Sequence, residues 1–294
     1  ASFSADVRYV VFESNASNLV TGDSNYYVDI FVKDLQTGAI LRVSTSVAGA
    51  QADFASHNAS FSADGRYVLF ESDASNLVEG DLYGYTDIYV KDLQTGAVQQ
   101  ISTDSTGAQL YSGNHINASF STDGRHVVFT QYHAYDDPGD PWNMIPYQYT
   151  DTNIFIKDIE TGALERLFSQ DPHVDWVESS SRASFSVDGR YLVFATYAND
   201  LVDGDQDNDW DIFVKDLQTG AVRRVAADST EQPVWGHQVE FSPDGLYVVF
   251  DSYASNLVEG GTNDRQIFVA PNPFVIVGGT DTVRSSLSYT LTAN

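Results

Sequence analysis

The sequence predicts an all-β fold, a five-bladed β-propeller of four-stranded antiparallel blades. Three observations carry this: one segment recurs five times, each copy contains a hairpin signal, and no stretch has a helical period. The segment reads ASFSADVRYVVFES from residue 1, ASFSADGRYVLFES from 59, ASFSTDGRHVVFTQ from 118, ASFSVDGRYLVFAT from 183 and VEFSPDGLYVVFDS from 239. Its phenylalanines, Phe3, Phe61, Phe120, Phe185 and Phe241, recur every 56 to 65 residues, so each interval holds one supersecondary unit.

Within a unit, the piece ASFS and the alternating piece RYVLFES flank an Asp-Gly pair, a strong hairpin signal that predicts the first and second strands. The first unit has Asp6-Val7 instead, which costs some turn stability. A polar loop of varying length leads to DIFVKD or DIYVKD, the predicted third strand. The turn LQTG or IETG then leads to a fourth run such as AVQQIST. Four antiparallel strands repeated in series suit propeller blades, in which radial repetition limits exposed edges; a β-sandwich or β-solenoid is the alternative. The propeller is expected to span residues 1–272. Residues 273–277 (PFVIV) are expected to close the last blade, and the remainder to form a C-terminal extension.

Composition narrows the function classes. With 41 acidic against 15 basic residues the net charge is −26, which repels nucleic acid and anionic membranes and attracts cations or basic partners. Cysteine is absent, so disulfides and thiolate metal sites are excluded, and calcium becomes a candidate stabiliser. No run approaches the ~18 apolar residues of a membrane span and no leader is visible. Ala1 lies inside a repeat, so the chain reads as a processed or trimmed piece.

The pattern S-x-D-G-R-x-x-V-F followed by D-I-[FY]-V-x-D-L-x-T-G resembles the TolB-type, WD-repeat-like propeller repeat of bacterial proteins over roughly residues 1–270. A variant with N-L-V-x-G-D, at Asn18–Asp23 and Asn76–Asp81 and less strictly at Asp200–Asp205, is similar to repeats of secreted and surface bacterial proteins. The tail GGTDTVRSSLSYTLTAN, Gly278–Asn294, resembles the lead-in to the calcium-binding nonapeptides of repeats-in-toxin proteins. That resemblance implies type I export and an extracellular or cell-surface location, where calcium is abundant. Blades of this kind serve binding proteins and enzymes alike, so the resemblance speaks to fold more than to function.

The loops between second and third strands, and those between units, are long, and long loops on a rigid scaffold are where function gathers. The former carry an acidic pattern: Asp23, Asn25 and Asp29 in unit 1, Asp81 and Asp87 in unit 2, and Asp205, Asp207, Asp209 and Asp211 in unit 4. Alternate carboxylates can turn inward on Ca2+, which takes six to eight oxygens, and unit 4 fits best although it lacks the glycine and distal glutamate of an EF-hand. The competing reading is that Asp29, Asp87, Asp151 and Asp211 accept backbone N–H bonds and fix the loop. Asp34, Asp92, Asp158 and Asp216 read as turn residues.

Two irregular places stand out. The unit 3 loop QYHAYDDPGDPWNMIPYQYTD contains Tyr135, Asp137 and Trp142, aromatic faces suited to carbohydrate, or else a loop packing its own rings. The loops before units 4 and 5 carry Trp176, Arg182, Trp235 and His237; with His57 and His115 these can converge at a channel mouth. The predicted function is a secreted, calcium-binding module that adheres to polysaccharide or a surface protein, or builds an extracellular structure. The alternative is a glycoside hydrolase using two of Asp137, Asp175, Glu178 and Glu240. No motif ties those carboxyls together, and the boxes of sialidases, serine peptidases and zinc hydrolases are missing.

Overall fold

The computed structural model describes residues 1–82, 84–110, 113–136, 148–167, 174–175, 183–196, 198, 201–203, 211–225, 239–252 and 264–275, with 133–136, 148–152 and 174–175 described for their backbone alone. No helix occurs among the described residues. Blade 1 contains β1 (Ser2–Phe3), β2 (Tyr9–Ser14), β3 (Asp29–Asp34) and β4 (Ile40–Arg42); blade 2 contains β5 (Ser56–Phe61), β6 (Tyr67–Ser72), β7 (Asp87–Asp92) and β8 (Val98–Gln100). Blade 3 follows with β9 (Asn114–Phe120), β10 (His126–Asp136), β11 (Gln148–Asp158), β12 (Leu164–Arg166) and the short β13 (Val174–Asp175). Blade 4 has β14 (Ser184–Phe185), β15 (Tyr191–Thr196), β16 (Asp211–Asp216) and β17 (Val222–Arg224), and blade 5 has β18 (Val239–Phe241), β19 (Tyr247–Ser252) and β20 (Gln266–Pro271). Blades 1, 2 and 4 are four-stranded antiparallel meanders. The five repeats of the sequence are five propeller blades.

Each hairpin between the first two strands is built from the same four atoms. In blade 2, Ser62 Oγ donates to Asp64 Oδ1 at 2.6 Å and accepts from Tyr67 N at 2.9 Å, while Asp64 Oδ1 accepts from Arg66 N at 3.0 Å. The serine and aspartate thereby satisfy the donors that a tight turn leaves unpaired. Gly65 sits at φ 71°, and the other blades place Val7 (φ 59°), Gly124 (φ 70°), Gly189 (φ 69°) and Gly245 (φ 71°) in the same left-handed conformation. Val7 is a β-branched residue held there against its preference.

The third strands pair with the second in one register, Tyr9 opposite Asp34, Tyr67 opposite Asp92 and Tyr191 opposite Asp216. That register stacks one ring pair in every blade: Phe12 on Phe31, Phe70 on Tyr89, Phe129 on Phe155, Phe194 on Phe213 and Phe250 on Phe268, with centroids 5.6 to 6.0 Å apart. Each ring removed from water contributes about 1.5–3 kcal/mol of hydrophobic stabilisation.

The chain divides into two compact units, one of residues 1–134 and 155–166 and the other of residues 135–154 and 167–294. Inside the first, β6 is buried on both faces: Val68 and Phe70 pack with Val11, Ile30 and Val32 of blade 1, and Leu69 packs with Val127, Phe129 and Phe155 of blade 3. Buried lysines tie neighbouring blades together. Lys91 Nζ donates to Thr45 O at 2.9 Å and Ser46 O at 3.2 Å, and Lys157 Nζ donates to Thr103 O and Asp104 O, each at 2.8 Å. Burial lowers the pKa of both amines. Glu71, also buried, accepts from Asn58 Nδ2 at 2.8 Å and from Asn117 N at 2.7 Å, fastening the bulged first strands of blades 2 and 3. Burial raises the Glu71 pKa.

Inside the second unit, blades 4 and 5 share a core of Tyr191, Val193, Ile212, Val214, Val248, Phe250 and Phe268. Among the described residues, blades 3 and 5 depart from four strands. The longer β11 gives β13 a partner, at Tyr149 opposite Asp175. The fifth sheet has three strands among the described residues. Its third strand ends in Pro271 and the chain turns at Asn272, with Phe274 stacked on Tyr191 at 5.6 Å and Arg223 Nη1 donating to Pro273 O at 2.6 Å; residues 276 and 277 of the expected closing segment lie outside the described residues. Prolines 271 and 273 cannot donate to a ladder, which explains the turn.

Candidate functional site

The loops joining second to third strands lie at the same end of blades 1 and 2 as the loops that leave the fourth strands. In blade 1 the two loops are fastened by Ser24 N donating to Gln51 Oε1 at 3.2 Å and Asn25 Nδ2 donating to Ala52 O at 2.8 Å. Asn25 Oδ1 accepts from Tyr27 N at 3.0 Å, so both ends of that amide are engaged in shaping the loop.

Asp23 and Asp29 are brought together, as the sequence suggests. Gln51 Nε2 donates to Asp23 Oδ1 and to Asp29 Oδ2, each at 2.8 Å, and Arg42 Nη1 lies 3.6 Å from Asp23 and 3.7 Å from Asp29. Ser44 Oγ donates to the other oxygen of Asp29 at 2.6 Å and itself accepts from Ile30 N at 3.1 Å. Asp29 therefore fixes the start of β3 through a serine hydroxyl rather than by direct backbone bonds. Two desolvated carboxylates are tolerated because a guanidinium and three hydrogen bonds from Gln51 and Ser44 surround them.

Blade 2 repeats the pair with a different cast. Gln109 Nε2 bridges Asp81 Oδ1 at 3.1 Å and Asp87 Oδ2 at 2.7 Å, and Ser102 Oγ donates to Asp87 Oδ1 at 2.5 Å. Tyr89 Oη donates to Asp81 Oδ2 at 2.6 Å; burial, reinforced by that bond, pushes the Tyr89 hydroxyl well above its usual pKa. His115, 1% exposed, places Nδ1 3.0 Å from Asp87 Oδ1. The bridging glutamines escaped sequence reasoning, although S-T-x-x-x-G-A-Q recurs at Ser44–Gln51 and Ser102–Gln109 and would have marked them.

In blade 4, Asp211 pairs with Arg224 at 2.9 Å, while Asp205, Asp207 and Asp209 lie outside the described residues. Asp151 lies within β11 rather than before the third strand, and Asn153 holds the position of Asp29. No group of three His, Cys, Asp or Glu side chains suited to a metal occurs among the described residues. Asp34, Asp92, Asp158 and Asp216 are turn residues as expected; in blade 2, Asp92 Oδ1 accepts from Gln94 N at 2.8 Å and Thr95 N at 3.2 Å. Arginines hold their other oxygens, at 2.9 Å from Arg8 to Asp34 and from Arg190 to Asp216, and these bonds bring the pKa of each carboxyl down to about 2.

The aromatic surface at this end is exposed. Tyr26 is 86% exposed and held at φ 63°, and Tyr27 stacks on Phe54 with centroids 4.5 Å apart. Leu82 and Tyr85 are exposed on the corresponding loop of blade 2. The Tyr26 backbone is strained for a non-glycine residue, yet the ring gains almost no burial there. Trp142, Trp176, Arg182, Trp235 and His237 lie outside the described residues, as do Asp137 and Glu178, and Tyr135 and Asp175 are placed on β10 and β13 by backbone alone. Glu240 is an exposed residue of β18 opposite Val249. His57 stands 3.6 Å from Glu13, part exposed, whereas His115 is buried.

No family model and no curated protein matches the sequence. Solved structures do match. Oligogalacturonate lyase from Vibrio parahaemolyticus aligns with 92% of this chain and 65% of its own, at 16% identity and a TM-score of 0.54. Pyrococcus horikoshii acylaminoacyl peptidase aligns with 89% of this chain and 36% of its own, at 15% identity and a TM-score of 0.52. TolB from Acinetobacter baumannii aligns with 92% of this chain and 53% of its own, at 19% identity and a TM-score of 0.48. The chain thus spans about half the length of that TolB and less than two thirds of the lyase and the peptidase. At these identities the likeness to the lyase and the peptidase is one of fold, and by fold this chain is a β-propeller.

Proposed function

We propose that this propeller is an extracellular binding module that adheres, through the loop end of blades 1 and 2, to a neutral or amine-bearing polysaccharide. The observation that carries the reading is the exposed Tyr26 beside the Tyr27–Phe54 stack. Flat rings held at a surface suit the C–H faces of sugars, and the carboxylates and amides nearby suit their hydroxyls. A net charge of −26 disfavours an anionic polymer and favours an amine, which an aromatic face also attracts. The likeness of the N-L-V-x-G-D repeats to those of surface proteins supports an extracellular setting. Calcium enters as a structural ion of blade 4, at Asp205, Asp207 and Asp209, on the strength of their spacing.

The test is binding to immobilised neutral, amine-bearing and anionic glycans by the native protein and by Tyr26→Ala and Tyr27→Ala. Retention on the first two classes, weakened about tenfold by each substitution with an unchanged melting curve, is the expected result. Retention on the anionic glycans alone, or insensitivity to both substitutions, contradicts it.

A further inference from the structure

Blades 2 and 3 each dock on the blade before them in the same way. Phe61 and Leu93 of blade 2 pack against the core shared with blade 1, and Phe120 and Ile159 of blade 3 against the core shared with blade 2. Lys91 and Lys157 cross the same two seams to carbonyls just past the fourth strand of the preceding blade. Blade 1 carries the same set on its leading face, displayed to solvent. Phe3 is 61% and Leu35 47% exposed, and Val10 and Phe12 are half-buried where Val68 and Phe70 of blade 2 are fully buried. Lys33 lies opposite Ile40 as Lys91 lies opposite Val98 and Lys157 opposite Leu164, yet its amine has no hydrogen-bond or ion-pair partner among the described residues.

Blade 5 shows the converse on its trailing face. Val248, Phe250 and Phe268 are buried in the core shared with blade 4, but the alternate residues of the same strands point the other way. Of these, Val249 and Val269 are half-buried and Ile267 is 47% exposed. The residues at the first and last of these positions in earlier blades, Val11 and Ile30 of blade 1 and Leu69 and Ile88 of blade 2, are at most 1% exposed beneath the next blade.

We propose that the leading face of blade 1 docks on the trailing face of blade 5 of a second copy of this chain, with Phe3 and Leu35 against Val249, Ile267 and Val269 and with Lys33 donating to main-chain carbonyls of that blade. A second copy is the occupant because the chain bears both halves of the seam that its own blades 1, 2 and 3 already form. Stacked repeats associate through just such nearest-neighbour faces. The contact is head to tail, so a dimer keeps one free face of each kind and growth continues beyond two copies. The net charge of −26 opposes the approach of two copies, and salt screens that repulsion while leaving the apolar contact intact. The inference is independent of the glycan reading and of any bound ion.

The experiment is sedimentation velocity of the full chain over a range of concentrations, at about 10 mM and about 500 mM ionic strength. Species larger than the monomer are expected to grow with concentration, and more strongly at the higher salt. Phe3→Asp blocks the leading face and Ile267→Asp the trailing face, and each alone is expected to weaken self-association at least about tenfold with an unchanged circular dichroism spectrum. An equal mixture of the two variants still pairs one intact face of each kind and is expected to give dimers and nothing longer. Should Phe3→Asp disturb the fold, Lys33→Ala removes an amine that holds nothing within the chain, and it is expected to weaken association without lowering the melting temperature. A monomer at every concentration and salt overturns the proposal, as does association that survives both aspartate substitutions. Association abolished by one of them and untouched by the other also overturns it, because a head-to-tail contact needs both faces, and so does a mixture that contains only monomers.

Discussion

Val7 offers a direct test of how the hairpins are held. It occupies the left-handed position that glycine occupies in the four other blades, at φ 59° against 69° to 71°. A non-glycine residue there costs about 1–2 kcal/mol. Replacing Val7 with glycine removes that strain, but the freer unfolded chain takes back about 0.4–1 kcal/mol. Val7 is 63% exposed, so the lost side chain forfeits little burial. The net expectation for Val7→Gly is a gain of about 0.5–1 kcal/mol, seen by calorimetry as a rise of about 1–3 °C for a chain of this size. Gly65→Val is the mirror experiment. A Cβ at Gly65 meets only Ser4 Cβ, at 3.8 Å, an ordinary contact, so its cost is conformational and of the same 1–2 kcal/mol order. A lower melting temperature for Val7→Gly, or no change for Gly65→Val, would refute the assignment of strain to this turn.

Other outcomes follow from the same contacts. Lys157→Met leaves two carbonyls of the neighbouring blade without their donor and is expected to cost about 1–3 kcal/mol, read as a lower urea midpoint at constant slope. The arginine-held turn aspartates have lowered pKa values, so their contribution is complete above the ordinary carboxylate value of 3.8 and is lost as pH falls toward about 2. Arg66→Gln frees Asp92 from the bond that depresses it, and acid unfolding followed by circular dichroism should then begin at higher pH than in the native protein. In the native protein, chelation is expected to lower the melting temperature, and Asp207→Ala with Asp209→Ala to reduce that effect; an identical response in both would count against calcium in blade 4.

The parts of the fold that local chemistry dictates were legible in the sequence. Ser62-x-Asp64-Gly65 specifies its own turn within six residues, and Asp92 caps the next one, so repeats translate directly into blades. The pairing of Asp23 with Asp29 could be anticipated from their loop, but not the donors, because Gln51 and Arg42 come from other parts of the blade. After the third strand of blade 5, Pro271 and Pro273 turn the chain toward Tyr191, and the rest of the expected closing segment lies outside the described residues. The blade 3 loop expected to carry aromatic faces lies largely outside the described residues; among the described ones, Tyr26, Tyr27 and Phe54 are exposed on the first two blades.

The claim that this end of blades 1 and 2 is the binding surface is tested most directly by hydrogen exchange of the native protein with and without a saturating neutral or amine-bearing glycan. Slowed exchange confined to the loops carrying Tyr26, Tyr27, Phe54 and Tyr85, with the glycan recovered intact, is the predicted result. Protection elsewhere with these loops unchanged, or cleavage of the glycan during the experiment, contradicts it.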